Sequence, residues 1–289
     1  MFKFLVGMIQ SFFQIIIFKP DVVFIKGGYV GLPVGLVVAK CFKKISIILH
    51  DSDARPGLTN RILSKYAKKI AVGMPVEFSS YDKSKTEFVG IPIKDVFFKP
   101  LTKKSTKNKP QVFIIGGSQG SRIINEQIIK IASKFSKDAD FLLISGQEKF
   151  DVVQKTASSI SNLKVLPFIS EEKISDYFKE SEIVITRAGA TTMAEISAVG
   201  TPTIIIPSPY LASDHQTKNA EMFVKSKAAF VVYENELNKN VLEKKIEILL
   251  NDQKLRNQFS KNIAKFAKPN AAKTMAEIII GVENGKNSE

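Results

Sequence analysis

The sequence predicts an α/β protein built from two Rossmann-like parallel sheets. Three observations carry that reading. Short runs of β-branched apolar residues alternate with helical stretches, joined by brief loops. Glycine turns, Gly27-Gly28 and Gly116-Gly117-Ser118-Gln119-Gly120, follow two of those runs, where such folds receive ligands. Residues 97–109 are rich in lysine, proline, serine and threonine, and divide an N-terminal part, 1–96, from a C-terminal part, 110–289. With 289 residues, 44% of them hydrophobic, the chain is long enough to bury two cores.

The first element is an amphipathic helix over 1–18. Lys3, Gly7, Gln10 and Gln14 recur at helical spacing and leave an apolar face of Leu5, Met8, Ile9, Phe12, Ile15 and Ile16. A spanning helix wants about 20 predominantly apolar residues, and this run is shorter and more polar. No small-residue cleavage site follows, which argues against a signal peptide. The face either packs on a sheet or lies against a membrane surface. Asp21 to Ile25 reads as a strand, and Pro33 suits the first turn of a helix reaching about Phe42. Strands over 45–49 and 70–72 flank a helix running to about Lys68, and Gly90-Ile91-Pro92-Ile93-Lys94 closes the layer.

The second part begins with a strand over 111–115 and a helix carrying Ile124, Ile128, Ile131 and Phe135 on one face. Strands follow at 141–145 and 165–167, and a helix is expected around Ile174 to Phe178. After a further strand–helix–strand unit over 183–206 come a strand at 228–232 and two helices. The second of these presents Leu255, Phe259, Ile263 and Phe266 at helical spacing. The last helix, about 271–280, leads into a polar tail expected to fray.

The net charge of +14 calls for an anionic partner or reflects a general bias in composition. The lysines are dispersed and no nucleic-acid motif is present, so an anionic membrane surface or a phosphorylated substrate is favoured over nucleic acid. A single cysteine, Cys41, excludes an intramolecular disulfide and suits a reducing compartment.

The strand–helix–strand unit over 183–206 carries the chemistry. Ile183 to Ile185 is a buried-strand run, Arg187-Ala188-Gly189-Ala190 a turn of mostly small residues, and Thr191 to Val199 a helix stopped by Gly200 and Pro202. Small residues leave the N–H groups of the first turn open to a phosphate. Glu195 shares a face with Thr191, one turn in, where a carboxylate can accept from sugar hydroxyls. Asp214-His215-Gln216 and Asn219 add a polar cluster in a second loop. Together these features describe a nucleotide-sugar pocket. Each residue has a plainer reading: Ser118 as a helix cap, Gln216 and Asn219 as ordinary loop residues, Glu195 as the partner of a surface lysine.

Seven motifs in order, GGYVGLP, HDSD-ARPGLTN, GIPIK, GGSQGS, PFIS, RAGATTMAE and DHQTKNA, resemble those of the MurG family of glycosyltransferases. The resemblance covers essentially the whole chain. It implies the GT-B fold, two Rossmann-like domains facing a cleft, and inverting transfer of N-acetylglucosamine from UDP-GlcNAc to lipid I in peptidoglycan synthesis. It implies a peripheral protein at the cytoplasmic face of the membrane, with no cofactor. By position, the Ile169 backbone would meet the uracil and Glu195 the ribose. Ala190, Thr191 and Thr192 with Ser118 would surround the diphosphate, and Gln216 would read the sugar. Asp53 stands where the family usually has an asparagine at the donor sugar. Lys94 stands for a common arginine and lacks its planar fork.

Asp51-Ser52-Asp53 also matches the Asp-x-Asp of metal-dependent transferases. The helix N-terminus already supplies positive potential, so no metal is expected. His50 and His215 are candidate proton acceptors by type alone, and no general base is assigned. The family opens with a strand and a glycine-rich loop ending in histidine. This sequence starts inside what corresponds to the third helical region, so its first sheet is expected to be short of strands. A start placed too late is the favoured reason, reliance on a second polypeptide the alternative. On the latter, the chain would be a non-catalytic UDP-sugar-binding subunit. The rival enzyme, a UDP-GlcNAc epimerase, would need more ionisable groups converging in the cleft.

Overall fold

Helix α1 (Phe2–Phe18) turns its narrower side inward in the computed structural model, which describes residues 2–101, 108–117, 119–210 and 214–284. Ile15 is its one buried residue and Met8 packs beside it. Strand β1 (Val22–Ile25) and helix α2 (Gly28–Cys41) follow. α1 lies on α2 rather than directly on a sheet: a Cβ at Gly7 would stand 3.6 Å from Pro33, and the Phe12 and Phe42 rings are 5.3 Å apart. α2 starts five residues before the expected Pro33, so the proline sits inside the helix.

β2 (Ser46–Asp51), α3 (Leu58–Leu63), β3 (Lys69–Val72) and β4 (Thr86–Phe88) complete a parallel sheet of order β1-β2-β3-β4. Val23 pairs with Ile47, Ile48 with Lys69, and Ile70 with Thr86. β4 escapes the sequence because it is a three-residue edge strand with one apolar side chain. Its core gathers Ile25, Val37, Ile47, Leu49, Leu63 and Ile70.

The second sheet begins with β5 (Gln111–Ile115), α4 (Arg122–Ile131), β6 (Asp140–Ile144), α5 (Phe150–Ala157), β7 (Leu163–Leu166) and α6 (Glu171–Glu180). It continues with β8 (Ile183–Thr186), α7 (Ala190–Val199), β9 (Thr203–Ile205), α8 (His215–Lys225), β10 (Ala229–Val231), α9 (Val241–Asn251) and α10 (Gln253–Ile263). Helix α5, which the sequence reading omits, buries only Val153 and Ala157, too few positions to write a stripe. All strands are parallel, in the order β10-β9-β8-β5-β6-β7. β5 and β8 are fully apolar or nearly so along their buried lengths, as strands covered on both faces must be. The chain winds outward from β5 through β6 and β7, then restarts beside β5 with β8. The switch point therefore lies between the carboxyl ends of β5 and β8, where open α/β sheets bind ligands.

Two compact units result, 1–92 with 270–289, and 93–269. This differs from the expected division at 97–109 at both ends. Phe97 heads the basic stretch, yet it is buried against Phe178, and the Val96 carbonyl accepts from Ser175 Oγ (3.0 Å) and Lys179 Nζ (2.8 Å). The segment after Pro92 thus belongs to the second unit. Helix α11 (Ala271–Asn284) belongs to the first, where Ala271 and Met275 pack on Ala71 and Val89. Residues 102–107 of the expected linker and 285–289 of the tail lie outside the described residues.

Candidate functional site

Ile169, Ala190, Thr191, Thr192, Glu195 and Gln216 lie on the coil before α6 and the first turns of α7 and α8, the segments that follow β7, β8 and β9. Thr186 ends β8 fully buried, and the chain turns through Arg187, Ala188 and Gly189 into α7. Met193 N donates to Gly189 O at 2.9 Å, so the N–H groups of Ala190, Thr191 and Thr192 precede the first bond within the helix. Gly189 at the N-cap has no side chain to cap them, and no other described residue does so. Thr191 is exposed, and Ala190 and Thr192 are half-buried. Met193 and Ile196 point into the core and fix the helix roll. Gly200 ends α7 in the left-handed region, φ 84°, its N–H bonded to Ile196 O at 2.7 Å.

Glu195 sits one turn in, half-buried. Burial, followed by the nearby charge of Glu171, pushes its carboxyl up to about 7. Among the described residues no hydrogen bond offsets that loss of hydration. Glu171 is in turn held by Lys94, Nζ to Oε2 2.7 Å, at the start of α6. Lys94 thus meets the first turn of α6 from a distant part of the sequence. Ile169 is buried and anchors the coil between β7 and α6, with Phe168 beside it exposed.

Gln216 and Asn219 lie on the first turns of α8, not in the loop the sequence implies. Asn219, fully buried, donates to Ala188 O at 3.1 Å and ties α8 to the turn before α7. Gln216 Oε1 accepts from Ser208 N at 2.9 Å. Ser118 lies outside the described residues, but its neighbours form a tight loop: Gly120 N bonds Gly117 O at 3.0 Å, and Ser121 caps α4. Gly120 has φ 67°, and a Cβ there would press into the Ser145 backbone carbonyl.

Asp53 stands in the first unit, in the bend after β2. Its neighbour Asp51 is buried and already engaged, accepting from Tyr81 Oη at 2.6 Å and Gly57 N at 3.2 Å. Among the described residues no group of three His, Cys, Asp or Glu side chains is placed to hold a metal. His50 is also buried. Its Nε2 faces Gly90 O at 3.0 Å, so that nitrogen carries the hydrogen, and burial holds the ring below the usual histidine range. Its role is to join β2 to the 90–92 turn.

Arg187 and Glu234 were not legible as site residues. Arg187 Nη1 meets Glu234 Oε1 at 2.6 Å and Ile206 O at 3.0 Å, and Nη2 donates to Ser121 Oγ at 2.8 Å. Both side chains are nearly buried, 12% and 9% exposed. The available signal was an arginine placed directly after four buried strand residues, a position that obliges a charged partner.

Residues 111–275 match the glycosyltransferase family 28 C-terminal domain, and residues 1–72 the family 28 N-terminal domain. A UDP-N-acetylglucosamine–N-acetylmuramyl-(pentapeptide) pyrophosphoryl-undecaprenol N-acetylglucosamine transferase of Caldicellulosiruptor saccharolyticus is 37% identical over 287 residues, covering 96% of this chain and 76% of the relative. The enzyme of the same name from Acetivibrio thermocellus is 34% identical over 281 residues, covering 93% and 75%. The crystal structure of Acinetobacter baumannii MurG superposes with a TM-score of 0.82 at 25% identity, over 97% of this chain and 80% of that one. A UDP co-structure of S. aureus MnaA superposes at 0.69 with 15% identity, over 95% and 79%, a likeness of fold alone.

Proposed function

This chain belongs to glycosyltransferase family 28, and from that premise we propose how its residues serve the reaction. The protein is a GT-B glycosyltransferase that moves N-acetylglucosamine from UDP-GlcNAc to lipid I, giving lipid II for peptidoglycan. The C4 hydroxyl of the N-acetylmuramyl residue attacks the anomeric carbon from the face opposite the diphosphate. The C1–O bond breaks, and UDP leaves with inversion at that carbon. The hydroxyl proton passes to a base or to water.

In our reading the second unit holds the donor. The uncapped N–H groups of Ala190, Thr191 and Thr192 receive the diphosphate, and the positive end of α7 steadies the charge that grows on UDP as it departs. Glu195 accepts the ribose hydroxyls, the Ile169 backbone meets the uracil, and Gln216 addresses the sugar. Ser118 is assigned to the diphosphate, and Lys94 to the edge of the donor. No metal or cofactor enters this scheme. α1 rests on an anionic membrane surface, where the undecaprenyl acceptor resides; among the described residues no helix is long and apolar enough to cross one.

One observation carries the donor assignment. Glu195 lies one turn inside a helix N-terminus at the switch point that no N-cap side chain closes, and among the described residues no hydrogen bond supports its charge. Calorimetric titration of UDP-GlcNAc into wild type and Glu195→Ala tests it. The expected result is saturable binding by wild type and at least about tenfold weaker binding by the variant. Equal affinities refute the ribose role, and absent binding by wild type refutes the pocket.

A further inference from the structure

Four loops at the carboxyl edge of the second sheet converge on one guanidinium. Arg187 itself belongs to the turn between β8 and α7. Its side chain reaches Ser121 at the start of α4, the Ile206 carbonyl just beyond β9, and Glu234 just beyond β10. Ser121 follows the glycine loop after β5, so the Arg187–Ser121 bond (2.8 Å) crosses the switch point itself. Ile206 is two residues from Ser208, whose N–H donates to Gln216. The same guanidinium therefore touches the segments on which the diphosphate turn, the glycine loop and Gln216 depend.

Only arginine meets this geometry. A lysine ammonium is a point donor on a flexible stem and cannot present a planar fork to two acceptors while pairing with a carboxylate. Glu234 neutralises the charge, with both groups almost withdrawn from water. The carboxylate fixes where the fork points. The backbone bond from Ile206 N to Thr186 O (2.7 Å) already ties the 206 segment to the end of β8, and the fork adds the link from that pair to Ser121 at the start of α4.

We propose that Arg187, held by Glu234, is a positioning residue for donor binding: it sets the turn before α7 against the glycine loop and the 206–208 segment, so that diphosphate and sugar are gripped together. This rests on the donor reading above. Arg187 touches no ligand in this scheme and acts through the backbone it orders. Glu195 and Ile169 lie outside the clamp, so recognition of the nucleoside alone does not depend on it.

The test measures thermal stability and the binding of UDP-GlcNAc and of uridine by wild type, Arg187→Lys and Ser121→Ala. The expected pattern for Arg187→Lys is a UDP-GlcNAc Kd raised about tenfold with uridine affinity within about twofold of wild type. Ser121→Ala removes one arm and also the side-chain cap of α4, and leaves the Arg187–Glu234 pair intact; it shows the same ligand pattern at about threefold, with a Tm lowered by the lost cap alone. Parallel loss of both ligands with a lowered Tm means a merely structural residue and overturns the proposal, as does an unchanged UDP-GlcNAc Kd. Should Arg187→Lys fail to fold, Ser121→Ala decides between the same outcomes. Failure of wild type to bind UDP-GlcNAc refutes the donor reading instead, and so is distinguishable.

Discussion

Gln216 Oε1 accepts a hydrogen bond from the Ser208 backbone N–H at 2.9 Å. The partner is a donor, so the amide orientation is settled: the oxygen faces the protein and the NH2 group is turned away from Ser208. A group that reads sugar hydroxyls from this position does so as a donor. Gln216→Glu keeps an acceptor for Ser208, removes both donors and adds a negative charge on the side of the diphosphate. UDP-GlcNAc affinity is expected to fall about tenfold or more in Gln216→Glu, further than in Gln216→Ala, with UDP affinity less affected. Calorimetry with the two ligands checks this, and a Gln216→Glu variant that binds UDP-GlcNAc like wild type removes Gln216 from the sugar site.

The Glu195 carboxyl, pushed up to about 7, makes donor binding depend on pH. Ribose hydroxyls donate best to the ionised carboxylate. UDP-GlcNAc is a diphosphate diester with no proton to lose near neutrality, so the dependence belongs to the protein. Its apparent Kd is expected to improve about tenfold from pH 6 to pH 8, and this slope vanishes in Glu195→Gln. Stability of the free protein moves the opposite way. The unfolded carboxyl ionises near its ordinary value while the folded one still holds its proton, so this contribution falls as pH rises toward 7 and levels off above it. The Tm of wild type relative to Glu195→Gln should therefore decline between about pH 5 and about pH 8. A flat difference would mean that Glu195 titrates as an ordinary surface carboxylate.

What was legible in the sequence follows from where information is local. The helix over 190–199 announces its own end through Gly200 and Pro202, and the buried strands of the second sheet are written as β-branched runs. α8 was hidden because its first turn is polar, and its buried residues, Asn219, Ala220, Met222 and Phe223, come only later. The boundary between the compact units falls before Phe97, and a single aromatic at the head of a basic stretch does not reveal that Phe178 awaits it. Arg187 does not stand out inside a turn of mostly small residues, since its three partners lie in remote segments of the chain. Spacing reports on one element at a time; these contacts join elements that only the folded sheet brings together.

The glycine loop offers a sharper test of packing. A methyl group at Gly120 would press into the Ser145 backbone carbonyl, at a φ of 67°. Neither group can withdraw without moving its loop. Gly120→Ala is expected to cost about 3 kcal/mol or more, a fall in Tm of roughly 10 °C for a unit of this size. Gly117, at φ 92° with open space around its Cβ position, provides the control. Gly117→Ala should cost only the backbone strain, about 1–2 kcal/mol. Thermal melts of the two variants compare a clash with a torsional preference, and equal melting temperatures would show that the 116–121 loop relaxes freely.

The outer face of α1 carries the last prediction. Phe2, Leu5, Ile9, Phe13, Ile17 and Phe18 are all more than half exposed on a 17-residue helix, while Met8 and Ile15 hold its inner side. That is more apolar surface on one helix than a water-facing role requires. Lys3 and Lys19 bracket it, in a chain of net charge +14, which favours an anionic surface over a neutral one. Wild type should sediment with vesicles containing phosphatidylglycerol at low salt, and less with phosphatidylcholine alone. Phe13→Glu with Ile17→Glu leaves the packed side intact and removes two apolar insertions of about 1.5–3 kcal/mol each, so the variant should stay in the supernatant with unchanged UDP-GlcNAc affinity. If the variant sediments as wild type does, the lysines alone account for the attraction and α1 does not enter the membrane interface.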